Sequence, residues 1–319
     1  MANDILVFVE HLNGDITDAT YELLATARSL AAQTGGSVDA AVIGTGASAL
    51  ADDLGGADRI LVADTDALGA FNPQGHAEMF ASLVETRQPA ITLVPYTSVG
   101  MDIGNHVAAT SGQPLVSYCL SVDAGDGLSG TCQLYSGKVQ ADVQVEADRA
   151  VFAMLAGAAS ADDGRSGGAA VIENVDTAVP DLAITFIGTA EPEAGDVDIT
   201  TEDILVAIGR GIESEDNIEE AQALADALGA ALAASRPIID QGWLPKTRQV
   251  GKSGLSVKPK VYLALGISGA PEHLEGMRDS STIIAVNSDP QAPIFGVAHY
   301  GWAGDLFDFI PELTDRLEG

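Results

Sequence analysis

Short apolar runs and longer amphipathic segments alternate through the first half of the chain. The apolar runs are ILVFVEH, VDAAVIG, RILVAD and AITLVPY. Between them lie Asp18 to Ala32 and the segment HAEMFASLVETR, whose apolar residues recur at helical spacing. This order predicts a parallel sheet with right-handed crossovers. VGMDIGNHVAATSG predicts another helix, and PLVSYCLSVDA with the hairpin-like CQLYSGKVQADVQV completes an α/β domain.

The character of the sequence changes after Ala156. GAASADDGRSGGA is small, polar and glycine-rich, which predicts a surface loop. A fresh strand and turn, DILVAIGRG, begins beyond Asp196, and a helix is predicted from Glu219 to Ser235. VYLALGIS, STIIAVNSD and APIFGVAHY are apolar runs ending in turn or polar residues, and GDLFDFIPELTDRL predicts a helix broken at its proline. We therefore predict two α/β domains, 1–195 and 196–319, each with a mainly parallel sheet.

The charge of the chain is strongly acidic, and this excludes one class of partner. Among 319 residues, 15 are Lys or Arg and 46 are Asp or Glu, a formal net charge of −31. General nucleic-acid binding is excluded because phosphate neutralisation needs a basic surface. The acids are spread through nearly the whole chain, which favours a hydrated surface suited to high salt, where screening mutes self-repulsion. Acidic patches for a basic partner are the alternative.

Other features of the composition limit location and metal chemistry. No apolar run approaches the roughly 20 residues that cross a bilayer, and MANDILVFVEH lacks a basic leader, so we expect a cytoplasmic protein. The two cysteines, Cys119 and Cys132, are expected to be reduced, structural thiols. The five histidines are scattered, without an HExxH or CxxC motif, so we predict no metal site.

Cations are concentrated in one window of this acidic chain. Between Arg236 and Arg278 there are seven basic residues and three acids. Three glycine-bearing turns lie in the same domain: AIGRGIES, QVGKSG and GISGAPEH. Each could bring backbone N–H groups to a phosphate, although each alone also fits an ordinary strand-to-helix turn. Neither a full GxGxxG after the first strand nor a GxxxxGK[ST] motif is present.

Together these residues could hold a large anionic dinucleotide. The turns are accompanied by cations, hydroxyls and polar strand ends: Arg210, Arg236, Lys252, Ser235, Ser253, Ser268, Asn287 and Asp305. We therefore interpret the cation window as neutralising a diphosphate and an electron-rich ring. Lys258 and Lys260 are instead interpreted as solvated residues that flank a strand.

No nucleophile-and-base pair is apparent, and GxSxG is absent. His273 follows GISGAPE among cations, so we expect it to face the ligand. A protonated or polarised histidine there could stabilise negative charge on a reduced ring.

Five motifs in fixed order support a family resemblance. SRPIIDQGWLP, RQVGKSG, KPKVYLALGISGAPEH, IIAVNSDPQAPIF and YGWAGDLFDFIPELT resemble the alpha subunit of the electron transfer flavoproteins. The resemblance is dense from Gly209 to the C-terminus and rests on architecture and length in the first domain. It implies a heterodimer with a beta subunit and a Rossmann-like C-terminal domain that binds FAD. It also implies electron transfer from dehydrogenases, such as those of acyl-CoA, towards a membrane quinone reductase, although some relatives bifurcate electrons from NADH.

The family pattern, carried over where the motifs match, implies a set of FAD contacts. These are Arg210, Ser235, Arg236, Val250, Gly251, Lys252, Ser253, Ser268, Gly269, Ala270, Pro271, Glu272, His273, Asn287, Asp305 and Leu306. Arg236, Ser253 and His273 would lie by the flavin ring. Three residues depart from the pattern: Glu272 and Lys252 each replace a common Gln and could compensate each other, and His299 stands where Asp is frequent.

Two other classes of function remain open from the residues alone. One is a pyridine-nucleotide oxidoreductase with its own substrate pocket, which the missing fingerprint and acid–base pair disfavour. The other is a nucleotide-binding regulatory protein without redox chemistry, which leaves Arg236, Ser253 and His273 unexplained.

Overall fold

A computed structural model describes residues 3–12, 14–69, 71–135, 139–175, 179, 181–187 and 197–318. The chain forms two compact units, Met1–Gly188 and Thr189–Gly319. The predicted boundary between residues 195 and 196 lies outside the described residues.

The first unit is built on a large sheet with helices on it. In chain order its strands are β1 (Ile5–Phe8), β2 (His11–Leu12), β3 (Asp15–Ile16), β4 (Val38–Gly44), β5 (Arg59–Asp64), β6 (Ile91–Pro95), β7 (Leu115–Asp123), β8 (Ser129–Leu134), β9 (Val139–Gln144), β10 (Ala150–Met154) and β11 (Val171–Asn174). Its α-helices are α1 (Asp18–Thr34), α2 (Ala47–Leu50), α3 (Pro73–Arg87), α4 (Ser98–Ser111) and α5 (Ala161–Arg165), and Ala51–Asp53 is a 3₁₀ turn.

Over the described residues, nine of these strands form one sheet in the order β11-β5-β4-β1-β6-β10-β7-β8-β9. Pairing is parallel from β11 to β7 and antiparallel for β7–β8 and β8–β9. The predicted parallel sheet and hairpin are both confirmed. The central strands β1, β4, β6 and β10 are buried along their whole length, because helices cover parallel sheets on both faces.

The prediction that GAASADDGRSGGA is only a loop was wrong in one respect, because it contains α5. Gly164 lies so close to α1 that a Cβ there would meet the Tyr21 carbonyl oxygen at 1.8 Å. Arg165 pairs with Asp18 and stacks over the Tyr21 ring, 3.9 Å from its centre. These contacts with α1 stabilise a single helical turn that local sequence does not predict.

The second unit is a smaller α/β layer structure. Its strands are β12 (Ile204–Ile208), β13 (Ala231–Ala234), β14 (Val261–Leu265), β15 (Thr282–Asn287) and β16 (Tyr300–Ala303). Its α-helices are α6 (Ile218–Leu228), α7 (Arg236–Asp240), α8 (Pro271–Glu275) and α9 (Leu306–Glu318). The 3₁₀ turns are Arg210–Ile212, Glu215–Asn217, Lys246–Arg248 and Pro293–Gly296. In the described chain the five strands pair in parallel in the order β13-β12-β14-β15-β16.

The predicted helix from Glu219 to Ser235 was wrong in its second part. The helix α6 ends at Leu228 because Gly229 adopts the left-handed conformation, and its N–H donates to the Asp226 carbonyl at 3.0 Å. Ala231–Ala234 then forms a fully buried strand. Alanine favours helix intrinsically, but pairing with β12 and burial determine its conformation here.

The predicted proline break was also wrong, since α9 runs continuously through Pro311. The helix buries Leu306 and Ile310 in the core, with Phe307, Phe309 and Leu313 packed around them. That apolar face outweighs the loss of one backbone hydrogen bond and the clash of the proline ring.

Cys119 and Cys132 face each other across β7 and β8 as free, buried thiols, with their Sγ atoms 3.9 Å apart. Burial raises the pKa of the Cys119 thiol, so it is protonated and packs as a small apolar side chain. No helix in the described part of the chain has the length and apolar character to cross a membrane.

Candidate functional site

The strand order of the second unit places its loops at a topological switch point. The chain moves from β12 to β13 on one side and then returns to β14 on the other side of β12. Loops that leave the carboxyl ends of β12 and β14 therefore diverge, and in open α/β sheets ligands bind in the crevice between them.

A cleft of about 850 Å³ occupies this position. It is lined by twelve of the predicted residues: Arg210, Ser235, Arg236, Val250, Gly251, Lys252, Ser253, Ser268, Ala270, Glu272, His273 and Asn287. Seven further lining residues are not among the predicted contacts, although two of them, Gly211 and Gly266, belong to the predicted glycine turns: Gly211, Glu213, Pro237, Asp240, Gln249, Gly266 and Ile267. The volume lies in the upper part of the range of roughly 300–1,000 Å³ typical of ligand pockets, which suits a large ligand.

Glycines let the loops of this cleft approach one another closely. A Cβ on Gly211 would meet the Cα of Gly266 at 2.7 Å, so the turns after β12 and β14 pack backbone against backbone. Gly269 has φ +83°, and a Cβ there would meet the Ile294 nitrogen at 2.3 Å. Only glycine fits at such a position. These loops therefore need glycine for close backbone packing, as ordinary strand-to-helix turns do, and they also form the wall of the cleft.

The cleft mixes cations with acids rather than being purely basic. Arg210, Arg236 and Lys252 line it, but so do Glu213, Asp240 and Glu272. The charge is thus balanced locally in a chain of net charge −31.

Arg236 and Asp240 form an ion pair within α7, at 3.3 Å. Their side chains are 67% and 61% exposed, so the pair contributes little and can be exchanged for a ligand contact.

The basic residues of the cation window lie both at the cleft and away from it. Of its seven basic residues, Arg236 and Lys252 line the cleft. Lys260 is an exposed partner of Asp203 at 2.7 Å, which agrees with its predicted place beside a strand. Arg248 donates to the Leu232 carbonyl at 2.8 Å and so ties a loop to β13.

His273 is buried at the cleft wall and carries an unmatched nitrogen. Its Nε2 lies 2.9 Å from the hydroxyl of the fully buried Tyr262, while its Nδ1 has no hydrogen-bond partner. Burial lowers the pKa of His273 to about 4. The backbone of Val250 opposes this shift in part. The histidine is therefore neutral near pH 7, which disfavours the protonated ring and leaves the polarised ring of the two forms considered from sequence.

The tautomer of His273 follows from Tyr262. The phenol proton is best satisfied by donation to Nε2, which is the hydrogen-bond partner that the structure gives it. That choice places the imidazole proton on Nδ1, so the unmatched nitrogen is a donor. A buried donor without a partner is costly, and a ligand carbonyl or ring nitrogen would relieve that cost.

A second group of polar side chains lies beside Ser253. Lys246 Nζ is 2.8 Å from Gln249 Oε1 and 2.9 Å from the Ser253 carbonyl oxygen. Gln249 is only 1% exposed, and its Nε2 donates to Ser253 Oγ at 2.9 Å. A buried glutamine thus holds a hydroxyl at the cleft surface.

Four predicted contacts are not among the lining residues: Gly269, Pro271, Asp305 and Leu306. Gly269, in the loop after β14, and Pro271, the first residue of α8, alternate with the lining residues Ser268, Ala270 and Glu272. Asp305 Oδ1 accepts from the Phe307 N–H at 3.0 Å at the start of α9, and Leu306 is buried in the core.

His299 also has a structural place. Its Nδ1 accepts from the Ile283 N–H at 2.9 Å and so supports the pairing of β15 with β16.

Lys252 Nζ lies 3.9 Å from Glu275, and its backbone N–H donates to the Glu272 carbonyl at 2.7 Å.

These features fit an FAD molecule. The cleft is large and lies at a switch point, its cations Arg210, Arg236 and Lys252 can meet a diphosphate, and His273 offers a buried donor. Among the described residues no cluster of His, Cys, Asp or Glu could hold a metal ion.

Comparison with known proteins identifies the family. The electron transfer flavoprotein FAD-binding domain matches residues 198–278, and the electron transfer flavoprotein domain matches residues 5–180. The electron transfer flavoprotein subunit alpha of Mycobacterium leprae is 38% identical, covering 99% of this chain and 98% of that protein. The subunit alpha of Bacillus subtilis is 33% identical, covering 100% and 98%.

A third relative has a different name. The lactate dehydrogenase (NAD(+),ferredoxin) subunit LctC of Acetobacterium woodii is 34% identical, over 99% of this chain and 77% of that protein. The matches span both units, and the domain matched in the second unit is an FAD-binding domain. The chain belongs to the electron transfer flavoprotein alpha-subunit family, and its cofactor is FAD.

Proposed function

We propose that this chain is the FAD-bearing half of a heterodimer with an electron transfer flavoprotein beta subunit. It accepts electrons from dehydrogenases, such as acyl-CoA dehydrogenases of fatty-acid oxidation, and passes them towards a membrane quinone reductase. The cleft carries this proposal: twelve residues expected at an FAD site line one cavity at the switch point of the second unit. Bound FAD would accept and donate the electrons, and the protein would bind the FAD and set the electrostatic environment of its ring.

The lining residues support different parts of such a ligand. Ser268 and Ala270, in the tight turn after β14, would hold the diphosphate with backbone groups. Arg236 and the neutral donor His273 would stabilise negative charge that develops on the ring. The enzyme alternative gains no support from His273, because this lining residue pairs with the Tyr262 hydroxyl at 2.9 Å and not with a serine hydroxyl of the cleft.

The proposed partner surface is in the first unit. The hairpin of β8 and β9 exposes apolar side chains at Leu134, Tyr135, Val139 and Val143, with exposures of 41, 78, 46 and 38%. Such a patch suits a permanent protein partner. Coexpression tests it: Tyr135→Glu with Val139→Glu should reduce copurification of the beta subunit, and unchanged copurification would remove the hairpin from the interface.

Electron bifurcation is the second candidate, favoured by the likeness to LctC. In that case NADH would reduce the heterodimer, and the beta subunit would carry a second flavin.

Reduction of the purified heterodimer distinguishes the two candidates. Bleaching of the flavin by an acyl-CoA with its dehydrogenase, and not by NADH, supports the carrier. Bleaching by NADH alone supports bifurcation, and reduction by neither would refute the proposed donors.

We also propose a cytoplasmic location and a high-salt setting, and the net charge of −31 supports the second of these. The urea midpoint of unfolding should then rise with KCl between 0.1 and 2 M, since roughly molar salt shortens the screening length to about 3 Å. A midpoint independent of KCl would contradict this part.

A further inference from the structure

The hydrogen bonds beside the cleft have a fixed direction. Lys246 can only donate, because an ammonium group has three N–H donors and no acceptor. Its contact with Gln249 at 2.8 Å therefore assigns the oxygen of that amide to the lysine side. The amide nitrogen of Gln249 must then face Ser253, at 2.9 Å from Oγ.

The same direction of donation extends from Gln249 to Ser253 at the cleft surface. A carboxamide nitrogen only donates, so the Ser253 hydroxyl accepts from Gln249 and its own proton is left for another acceptor. Ser253 is exposed and lines the cleft. Rotation of the Gln249 amide by 180° would set its nitrogen against the Lys246 ammonium, and because Gln249 is only 1% exposed, the bond to Lys246 would be lost in a buried site.

We propose that Lys246 and Gln249 are positioning residues that turn the Ser253 hydroxyl into a hydrogen-bond donor towards an electron-rich atom of the flavin ring. The inference rests on the proposed place of the flavin in this cleft. Lys246 does not line the cleft itself and acts through Gln249. A donated bond strengthens as the ring gains negative charge, so this direction favours the reduced cofactor.

The substitution Gln249→Glu tests the direction of the hydrogen bond between Gln249 and Ser253. A carboxylate can still accept from Lys246, but it can no longer donate to Ser253, whose proton would turn away from the cleft. The added negative charge also affects the flavin, so the same substitution is made in a Ser253→Ala background. This double-mutant cycle separates the effect of the added charge from the effect of the lost hydrogen bond.

The measured quantity is the ratio of affinities for reduced and oxidised FAD, obtained from the midpoint potential and the dissociation constant of the heterodimer. With Ser253 present, Gln249→Glu should lower that ratio by roughly two- to tenfold more than it does in the Ser253→Ala background, which is the effect of one net hydrogen bond. Equal changes in both backgrounds would overturn the proposal, because charge alone would then explain them.

The hydrogen bond from Lys246 to Gln249 can be tested without flavin. In glutamine-labelled protein, the side-chain amide resonance of Gln249, assigned by its loss in Gln249→Glu, should shift in Lys246→Met. It should stay in place in Lys258→Met, a matched loss of one exposed cation in the same window. An unshifted resonance in Lys246→Met would refute the inference even if FAD binds. A shifted resonance in a chain that binds no FAD would instead refute the proposed function and leave this link supported.

Discussion

Replacing Gly269 with alanine should strain the loop that forms the cleft wall. The residue has φ +83°, a left-handed conformation that costs a residue with a side chain about 1–2 kcal/mol. The new Cβ would lie 2.3 Å from the Ile294 nitrogen and 2.6 Å from its Cα, so backbone must move. Such overpacking costs about 1–3 kcal/mol. The expected loss of unfolding free energy is therefore about 2–5 kcal/mol.

Two alanine substitutions serve as controls for Gly269→Ala. Gly229 has φ +61°, but an added methyl group there would have no neighbour within 4 Å, so its substitution should show the conformational cost alone. Gly296 has neither the positive φ nor a close neighbour, and its substitution should change stability by less than about 0.5 kcal/mol.

Urea unfolding of the FAD-free chain and FAD titration measure both consequences. Ser268 and Ala270, on either side of Gly269, line the cleft, so relaxation of the loop should also weaken FAD binding. If binding has to restore only about 1.4 kcal/mol of the strain, the dissociation constant rises about tenfold. A Gly269→Ala variant no less stable than Gly229→Ala, with unchanged FAD affinity, would refute the close approach to Ile294.

Three further predictions concern single side chains. Burial lowers the pKa of His76 to about 4, below its unfolded value of 6.5, so unfolding takes up a proton between these pH values. The free energy of unfolding should therefore fall by about 3 kcal/mol as the pH drops from 6.5 to 4. His76→Gln should flatten the plot of urea midpoint against pH in this range, and an unchanged slope would contradict the argument. Tyr262→Phe should move part of the His273 proton from Nδ1 to Nε2, seen in ¹⁵N histidine spectra, and an unchanged pattern would contradict the tautomer argument. Arg236→Ala should lower the flavin potential in a redox titration, whereas an unchanged potential would remove Arg236 from the ring.

Strand positions in the second unit were predictable for VYLALGIS and STIIAVNSD but not for APIFGVAHY, in which Pro293–Gly296 is a 3₁₀ turn and β16 begins only at Tyr300. These two runs contain β14 and β15, and a polar residue at the carboxyl end of each, Ser268 or Asn287, lines the cleft. Ala231–Ala234 could not be assigned as a strand from local sequence, since its alanines follow a helix and only pairing with β12 decides their conformation.

Two of the site residues absent from the prediction, Asp240 and Gln249, differ in whether the sequence could have revealed them. Asp240 could have been found, because it lies four residues after Arg236 and α7 brings residues at that spacing together. Gln249 could not, since no local signal shows that a polar side chain is buried between Lys246 and Ser253. The state of His273 also depended on burial, which the sequence does not reveal.

The most direct test of the account is a visible absorption spectrum of this chain, copurified in high salt with its natural beta subunit, together with the FAD content per heterodimer. The account predicts a two-band flavin spectrum with one FAD per heterodimer, lost in a Ser268→Trp variant that still folds and copurifies, because the indole would fill the turn after β14. A colourless heterodimer that still binds nucleotide, or a Ser268→Trp variant with full flavin, would contradict the assignment of this cleft to FAD.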